Sequence, residues 1–277
     1  GPDVVEVDGL RLRFRKALIA TGSRSLLPTI PGLDDAGYLT NETLFNLAAL
    51  PKSLPVIGGG PEGCQVAQAM RRFGCRTIIV HAEPLFLPKE ERDAALLLAE
   101  ALARDGVEIH LNTRAVNVRV EGGRKIVETL NDGNLATTAV DHILTGIGRV
   151  PSLSGLNLEA AGVDYDPAGG ITVDDFLHTT NRRIFAAGDV CLEHQYTNTA
   201  EASARMVVRN ALCFGRQRLS ALTIPWCIYT DPEIAHVGLY VRQARERGIP
   251  VKTFTVPMLS LIHISEPTRL RRSSYAV

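Results

Sequence analysis

Three glycines in the stretch "PVIGGGPEGCQVAQAM" fall at positions 58, 60 and 63, the spacing G-x-G-x-x-G. Glycines cluster in many loops, and the spacing alone carries little. Its chemistry depends on its flanks. With a strand before it and a helix after it, Gly58 allows a tight turn, Gly60 lets the backbone approach a pyrophosphate, and Gly63 lets the helix pack closely on the strand. The helix N-terminus then offers unpaired N–H groups and a partial positive charge to phosphate oxygens. Pro61 and Glu62 complete the turn. A carboxylate about 20 positions further on would hold a ribose 2′-hydroxyl. Here the second strand ends at Val80-His81-Ala82, and Glu83 comes late for that role. His81 can donate to a hydroxyl or, when protonated, to a 2′-phosphate, which Glu83 would repel. NAD and NADP both stay open, with a lean away from strict NAD preference.

Cysteine is the other residue type that could carry chemistry. Cys64, Cys75, Cys191, Cys213 and Cys227 have neither C-x-x-C nor metal-ligand spacing, so they read as small buried hydrophobes and no metal site is expected.

The elements that must position the glycines follow from the hydropathy pattern. "LPVIGGG" is a compact apolar strand, and from Pro61 the apolar Val66, Ala69, Met70 and Phe73 recur at helical spacing. "CRTIIVHA" reads as a buried strand, "KEERDAALLLAEALARDG" as a helix stopped at Gly106, and "VEIHL" as a third strand. That alternation predicts a parallel sheet with crossover helices. The period then changes to two around Gly122-Gly123 and Asn131-Asp132-Gly133, which predicts antiparallel hairpins. "DHILTGIG" returns to a buried strand.

Upstream, "ALIATGSR" delivers a strand into a loop. "TNETLFNLAALPKSL" predicts a helix capped by Thr40 or Asn41, with an apolar face at Leu44, Leu47 and Ala48. Downstream, "IFAAGDV" is an apolar run closed by Gly188-Asp189, and "NTAEASARMVVRNALCFG" is an amphipathic helix. After Leu219 come a strand and turn in "ALTIPWCIYTDPEIAHVGL", a helix in "VRQARERGI" and a strand in "VKTFTV".

Composition narrows the class. With 277 residues, 45% hydrophobic and 22% charged, the chain can bury a sizeable core. Its net charge of zero offers no basic field to nucleic acid or a membrane surface. No apolar run approaches the ~20 residues of a membrane span, so a cytoplasmic protein is the expectation.

Three motifs in order, "ALIATGSR", "VIGGGPEG" and "TTNRRIFAAGDV", resemble the pyridine nucleotide-disulfide oxidoreductases. The resemblance implies FAD and NAD(P)H as cofactors, a homodimer, and a small-molecule or metal-ion substrate. It implies an α/β, Rossmann-like three-layer fold with an inserted nicotinamide-binding domain and the start of an α+β dimerisation domain. The implied division is 1–50 partial FAD-binding, 51–150 NAD(P)-binding, 151–218 FAD-binding return, 219–258 truncated interface and 259–277 non-family tail. By position, Thr21, Gly22 and Ser23 lie against FAD, and Asp189, after Gly188, accepts from the flavin's ribityl chain. Gly148, in "GIGRVP", approaches NAD(P), and the helix from Thr199 runs near the flavin. On its own Asp189 reads as a helix cap or loop turn; the company of the other motifs reverses that. Family members usually carry an aliphatic residue where Glu62 stands and a Glu where Gln65 stands, so a charge has moved by one helical turn.

Within the family, "NETLFNLAALP" and "IPWCIYTDPEIAHVGL" are most similar to mercuric reductase, with dihydrolipoamide dehydrogenase the alternative. No residue demonstrates mercury chemistry. A second glycine turn, a C-x-x-x-x-C pair and a His–Glu acid-base pair belong to the family's relay and are not found. The tail "LSLIHISEPTRLRRSSYAV" resembles translated adaptor sequence, so His263 and Glu266 are not taken for that pair. Its Arg269, Arg271 and Arg272 are not taken for a nucleic-acid tail. The expectation is a fragment with no catalytic residues of its own and no turnover alone. A catalytically silent nucleotide-binding module is the competing reading. A flavin-free nicotinamide dehydrogenase is disfavoured by "IFAAGD" and "ALIATGS". The nicotinamide unit could fold alone, whereas the FAD-side pieces are expected to expose unpaired edges and to aggregate or stay molten.

Overall fold

A computed structural model describes residues 1–213 and 215–256. They fall into two compact units, Gly1–Gly238 and one that starts at Leu239. The tail expected at 259–277, with His263, Glu266 and its three arginines, lies outside the described residues.

The first unit opens with a hairpin that the sequence reading did not anticipate. Strands β1 (Val4–Val7) and β2 (Leu10–Arg13) turn at Asp8-Gly9, both with positive φ, and expose Val5, Val7, Leu10 and Leu12. Strands β3 (Ala17–Ile19) and β4 (Ser23–Ser25) follow, then the short helix α1 (Leu33–Ala36). The helix predicted over "TNETLFNLAAL" shrinks to a single 3-10 turn, Leu44–Asn46. The cap forms as expected, with Thr40 Oγ1 accepting from the Glu42 N–H and Thr43 Oγ1 from the Thr40 N–H, but the chain turns extended at Leu47 and the helix goes no further.

Next comes the parallel part: β5 (Ser53–Ile57), α2 (Pro61–Arg72), β6 (Arg76–Val80), α3 (Arg92–Asp105) and β7 (Glu108–His110). The hairpins follow as a meander of β8 (Thr113–Glu121), β9 (Arg124–Asn131) and β10 (Asn134–Val140), with turns at the two predicted glycine sites. Strand β11 (Leu144–Thr145) then completes a four-stranded sheet in the order β11-β5-β6-β7. Every residue of β5 is buried, as is all of β6 beyond Arg76, because both sheet faces are covered. On one face Cys64, Ala67, Leu98 and Leu102 pack against Leu54, Val56 and Ile79. On the other, Ile57 and Ile143 meet Val118, Val127 and Val140. Leu33 joins this second cluster and Leu44 the first, so residues before 50 lend side chains to the sheet's cores.

Strand β12 (Arg149–Pro151) pairs antiparallel with β4, and the chain thereby returns to where it left. After α4 (Leu158–Ala161) and the small ladder of β13 (Tyr165–Asp166) with β14 (Gly170–Ile171), strand β15 (Ile184–Ala186) pairs parallel with β3. Helix α5 (Thr197–Leu212) covers it, burying Met206 and Val207 against Leu177, Phe185 and Leu192. A hairpin of β16 (Pro225–Ile228) and β17 (Ile234–Val237) ends the unit. In the second unit α6 (Val241–Glu246) starts with a capping box from Tyr240 and Gln243. The strand expected in "VKTFTV" is irregular over 251–256, since no strand pairs with it among the described residues. No helix among the described residues is long and apolar enough to cross a membrane.

Candidate nucleotide-binding site

The glycine turn is built as its spacing predicts. Strand β5 ends at Ile57, and Gly58 turns the chain at φ +115°. A Cβ on Gly58 would sit 2.2 Å from the Gly146 carbonyl oxygen, and one on Gly63 would sit 2.1 Å from the Gly58 oxygen. Both glycines are therefore fixed by close backbone approach. Gly60 differs: it caps α2 in an extended conformation, and a Cβ there would meet nothing within 4 Å. Pro61 takes the first helical position, where its missing N–H costs nothing. The first helical bond runs from the Cys64 N–H to the Gly60 carbonyl. The N–H groups of Gly60, Glu62 and Gly63 thus have no acceptor among the described residues. Open space over unpaired donors at a helix N-terminus fits a pyrophosphate.

Gly146, Ile147 and Gly148 run from β11 past this turn, and Gly148, at φ +123°, gives its carbonyl to the Leu26 N–H at 2.9 Å. At the end of β6, His81 is half-buried and bonded through both ring nitrogens, to the Gly59 N–H and to the Leu85 carbonyl. Glu83 is exposed beyond it.

The second group of predicted residues converges where β4 meets β12. Ser23 Oγ donates to Asp189 Oδ2 at 2.6 Å. Arg149 Nε donates to Ser23 Oγ at 2.7 Å, its Nη2 to the Ser23 carbonyl at 2.8 Å, and its guanidinium lies 3.8 Å from Asp189. Thr21, though exposed, donates to the Ser152 carbonyl at 2.8 Å, and Gly22 accepts from the Ser152 N–H at 2.9 Å. Gly188 adopts φ +76° and donates its N–H to Ser203 Oγ on α5. Asp189 Oδ1 takes no hydrogen bond among the described residues. Thr199 Oγ1, in the first turn of α5, is buried and unpartnered.

Residues 1–207 match the family described as pyridine nucleotide-disulphide oxidoreductase, and residues 224–265 match its dimerisation domain. The chain belongs to the pyridine nucleotide-disulphide oxidoreductase family. The second match runs into the segment that the sequence reading set apart as a tail. Mercuric reductase of Bacillus cereus is 34% identical over 256 residues, which are 92% of this chain and 41% of the relative. Dihydrolipoyl dehydrogenase of Thermus scotoductus is 33% identical over 260 residues, 93% of this chain and 56% of the relative. The solved structure of RclA from Escherichia coli, an HOCl-induced flavoprotein disulfide reductase, superposes with a TM-score of 0.85 at 32% identity, covering 95% of this chain and 60% of that one. The chain spans about half the length of the relatives it matches.

Members of this family bind FAD and use NAD(P)H. The open space at Gly60 and its unpaired donors fit the nicotinamide nucleotide. The spare oxygen of Asp189 and the orphaned Thr199 hydroxyl fit a polar ligand with hydroxyls to share. No second glycine turn occurs among the 277 residues. Sequence reasoning assigned nothing to Arg149, although it directly follows Gly148 and holds Ser23 to Asp189. The displaced charge at Glu62 has a visible consequence. Its Oε1 is buried without a partner, and burial raises the carboxyl above the usual range against the pull of Arg149. Gln65 instead folds back onto the Pro61 carbonyl at 3.0 Å. Both line a groove of about 900 Å³ with Leu44, Phe45, Met70 and Phe73.

Proposed function

We propose that the chain is the cofactor-carrying part of an NAD(P)H-driven, FAD-dependent disulfide oxidoreductase. Gly58, Gly60, Pro61, Glu62, Gly63, His81 and Gly148 form the nicotinamide-nucleotide side, and Thr21, Gly22, Ser23, Gly188 and Asp189 the flavin side. One observation carries this reading: motifs 166 positions apart meet at the Ser23–Asp189 bond. A loop turn with no ligand duty does not need that meeting, whereas a shared cofactor cleft does.

Bound FAD supplies the hydride-accepting and electron-passing chemistry. The chain's own residues bind and orient. The head of α2 holds a pyrophosphate by backbone N–H groups and helix dipole. Asp189 accepts a hydroxyl hydrogen bond through Oδ1, while Ser23 and Arg149 fix the carboxylate through Oδ2. For the final acceptor we propose a mercuric ion, with a lipoyl-type disulfide, reduced to its dithiol, the alternative; identities of 34% and 33% support the two almost equally. The division into 1–50, 51–150, 151–218, 219–258 and 259–277 belongs to this proposal, with residues before 50 lending side chains to the nicotinamide core. So does a homodimer, which the match over 224–265 supports.

The competing reading, a silent nucleotide-binding module, is favoured by the cysteine spacing: no two of the five cysteines form C-x-x-x-x-C. Incubation with FAD, gel filtration and a visible spectrum decide between them, followed by NAD(P)H-driven ferricyanide reduction. A yellow protein that reduces ferricyanide supports the flavin reading. A colourless chain that still binds NADH supports the silent module, and a chain that binds no nucleotide refutes both.

A further inference from the structure

His81 is held in a way that its expected role as a ribose or phosphate ligand does not require. Nδ1 lies 3.2 Å from the Gly59 nitrogen, and Nε2 lies 3.2 Å from the Leu85 carbonyl oxygen. An amide N–H only donates and a carbonyl only accepts, so both contacts are hydrogen bonds in one state alone: the neutral ring with its proton on Nε2. A proton on Nδ1, in the other tautomer or the imidazolium, sets one N–H against another at Gly59.

Packing repeats the point. A Cβ on Gly59 would lie 3.0 Å from Cγ and 3.1 Å from Nδ1 of the imidazole. Gly59 does not have a positive φ, so what disfavours a side chain there is the ring, which a Cβ would have to push back by a few tenths of an ångström. The main chain of His81 is pinned as well, its N–H to His110 and its carbonyl to the Thr113 N–H, each at 2.9 Å. The ring is therefore a fixed strut between the sheet end and the middle of the glycine turn.

We propose that His81 is a positioning residue: its neutral ring tethers the Gly59 amide and so aims the N–H groups of Gly60, Glu62 and Gly63 at the pyrophosphate, and protonation releases the turn. The inference rests on the nicotinamide reading of that turn. It sets a sign: nucleotide binding weakens as pH falls. A 2′-phosphate ligand has the opposite sign, because imidazolium is the form that binds phosphate. The ionisable residues on the surrounding segments are Glu83 on its own loop, Arg76 on β6, Glu108 and His110 on β7, Arg114, Arg119 and Glu121 on β8, and Glu62, Arg71 and Arg72 on α2. None makes a side-chain hydrogen bond or ion pair with the imidazole among the described residues; His110 lies 3.8 Å from Glu108 instead.

The test is NADH and NADPH affinity of the full chain across about pH 5–8, for the parent, His81→Asn and His81→Gln. Asparagine can place an acceptor near the position of Nδ1, and glutamine a donor near that of Nε2. The parent should lose about fivefold in affinity for both nucleotides on acidification, the worth of one hydrogen bond. His81→Asn should lose the pH dependence and stay flat, binding more tightly than His81→Gln at the alkaline end, while His81→Gln is weak throughout. NADPH affinity that rises on acidification and disappears in both variants overturns the proposal. A chain that binds neither nucleotide overturns the nicotinamide reading, and the tether is then judged from the ring itself. In a two-bond ¹H–¹⁵N spectrum at neutral pH, with His81 assigned through His81→Asn, the Nε2–H tautomer supports the tether. An Nδ1–H tautomer or imidazolium refutes it.

Discussion

Gly60 and Gly63 stand three residues apart in one turn, yet alanine should do opposite things at the two positions. At Gly63 the new methyl carbon lies 2.1 Å from the Gly58 oxygen and 3.2 Å from Val56 Cγ1. Carbon–oxygen contacts settle near ~3.3 Å, so α2 must retreat from β5 by about 1 Å. That helix buries Cys64, Ala67 and Gln68, and overpacking of this kind costs about 1–3 kcal/mol. In a unit of this size each kcal/mol lowers the melting temperature by roughly 2–4 °C. At Gly60 the methyl meets nothing within 4 Å, and φ −79°, ψ −179° suits any residue. Gly60→Ala should melt close to the parent, the up to ~1 kcal/mol gained from a less free unfolded chain being offset by alanine's poorer fit at a helix N-cap. The same methyl fills the space over the unpaired N–H groups, and NADH affinity should fall about tenfold or more, a loss of at least ~1.4 kcal/mol. Urea unfolding and NADH titration on both variants read the split. A Gly60→Ala protein that binds NADH like the parent, or that unfolds as early as Gly63→Ala, refutes the reasoning.

Asp189→Ala removes the acceptor for Ser23 and the counter-charge for Arg149, so FAD uptake should vanish while NADH titration at the glycine turn is unchanged; a variant as yellow as its parent defeats the flavin assignment. Burial pushes the Cys64 and Cys191 thiols up to about 12 and Cys75 to about 11, so iodoacetamide near neutrality should label exposed Cys213 first and those three only after unfolding. Rapid native labelling of Cys64 would mean that α2 is not seated. Because burial raises the Glu62 carboxyl, the protonated form is the one the fold prefers. Its contribution is complete below the ordinary glutamate range and is lost as pH rises through the raised value, so Glu62→Gln should be the more stable protein at neutral pH and equal to the parent in acid, as read by urea melts. The exposed apolar faces of β1 and β2 predict early tryptic cleavage at Arg11 or Arg13, before any cut within β5–β7; protection of Gly1–Leu47 matching that of the sheet contradicts it.

What the sequence disclosed is what local chemistry dictates. The parallel core was readable because β5 and β6 are short apolar runs divided by glycines with one task each, and Gly58 and Gly63 sit where a Cβ would come within about 2.2 Å of a backbone oxygen. The hairpins were readable because their turns need positive φ at Gly122, Gly123, Asp132 and Gly133. The helix after Thr40 was misjudged in length: its cap forms, but the chain turns extended at Leu47, and Leu44 and Leu47 pack on the sheet core, a tertiary contact that periodicity does not show. Arg149 went unnoticed for a different reason. Its partners lie 126 and 40 positions away, and no pattern along the chain announces a meeting that only strand pairing creates. His81 was legible as a residue able to donate, while its acceptor contact with Gly59 depends on a sheet end that hydropathy cannot draw.

Strands β4 and β12 lie side by side, with Ser25 opposite Arg149 and Ser23 opposite Pro151, and the arginine side chain rivets one to the other. The polypeptide between them is therefore a graft whose two cut ends are already adjacent. A hairpin turn joining Ser25 to Arg149 could replace the whole excursion without moving either strand, and a foreign module with neighbouring termini could be spliced into the same socket.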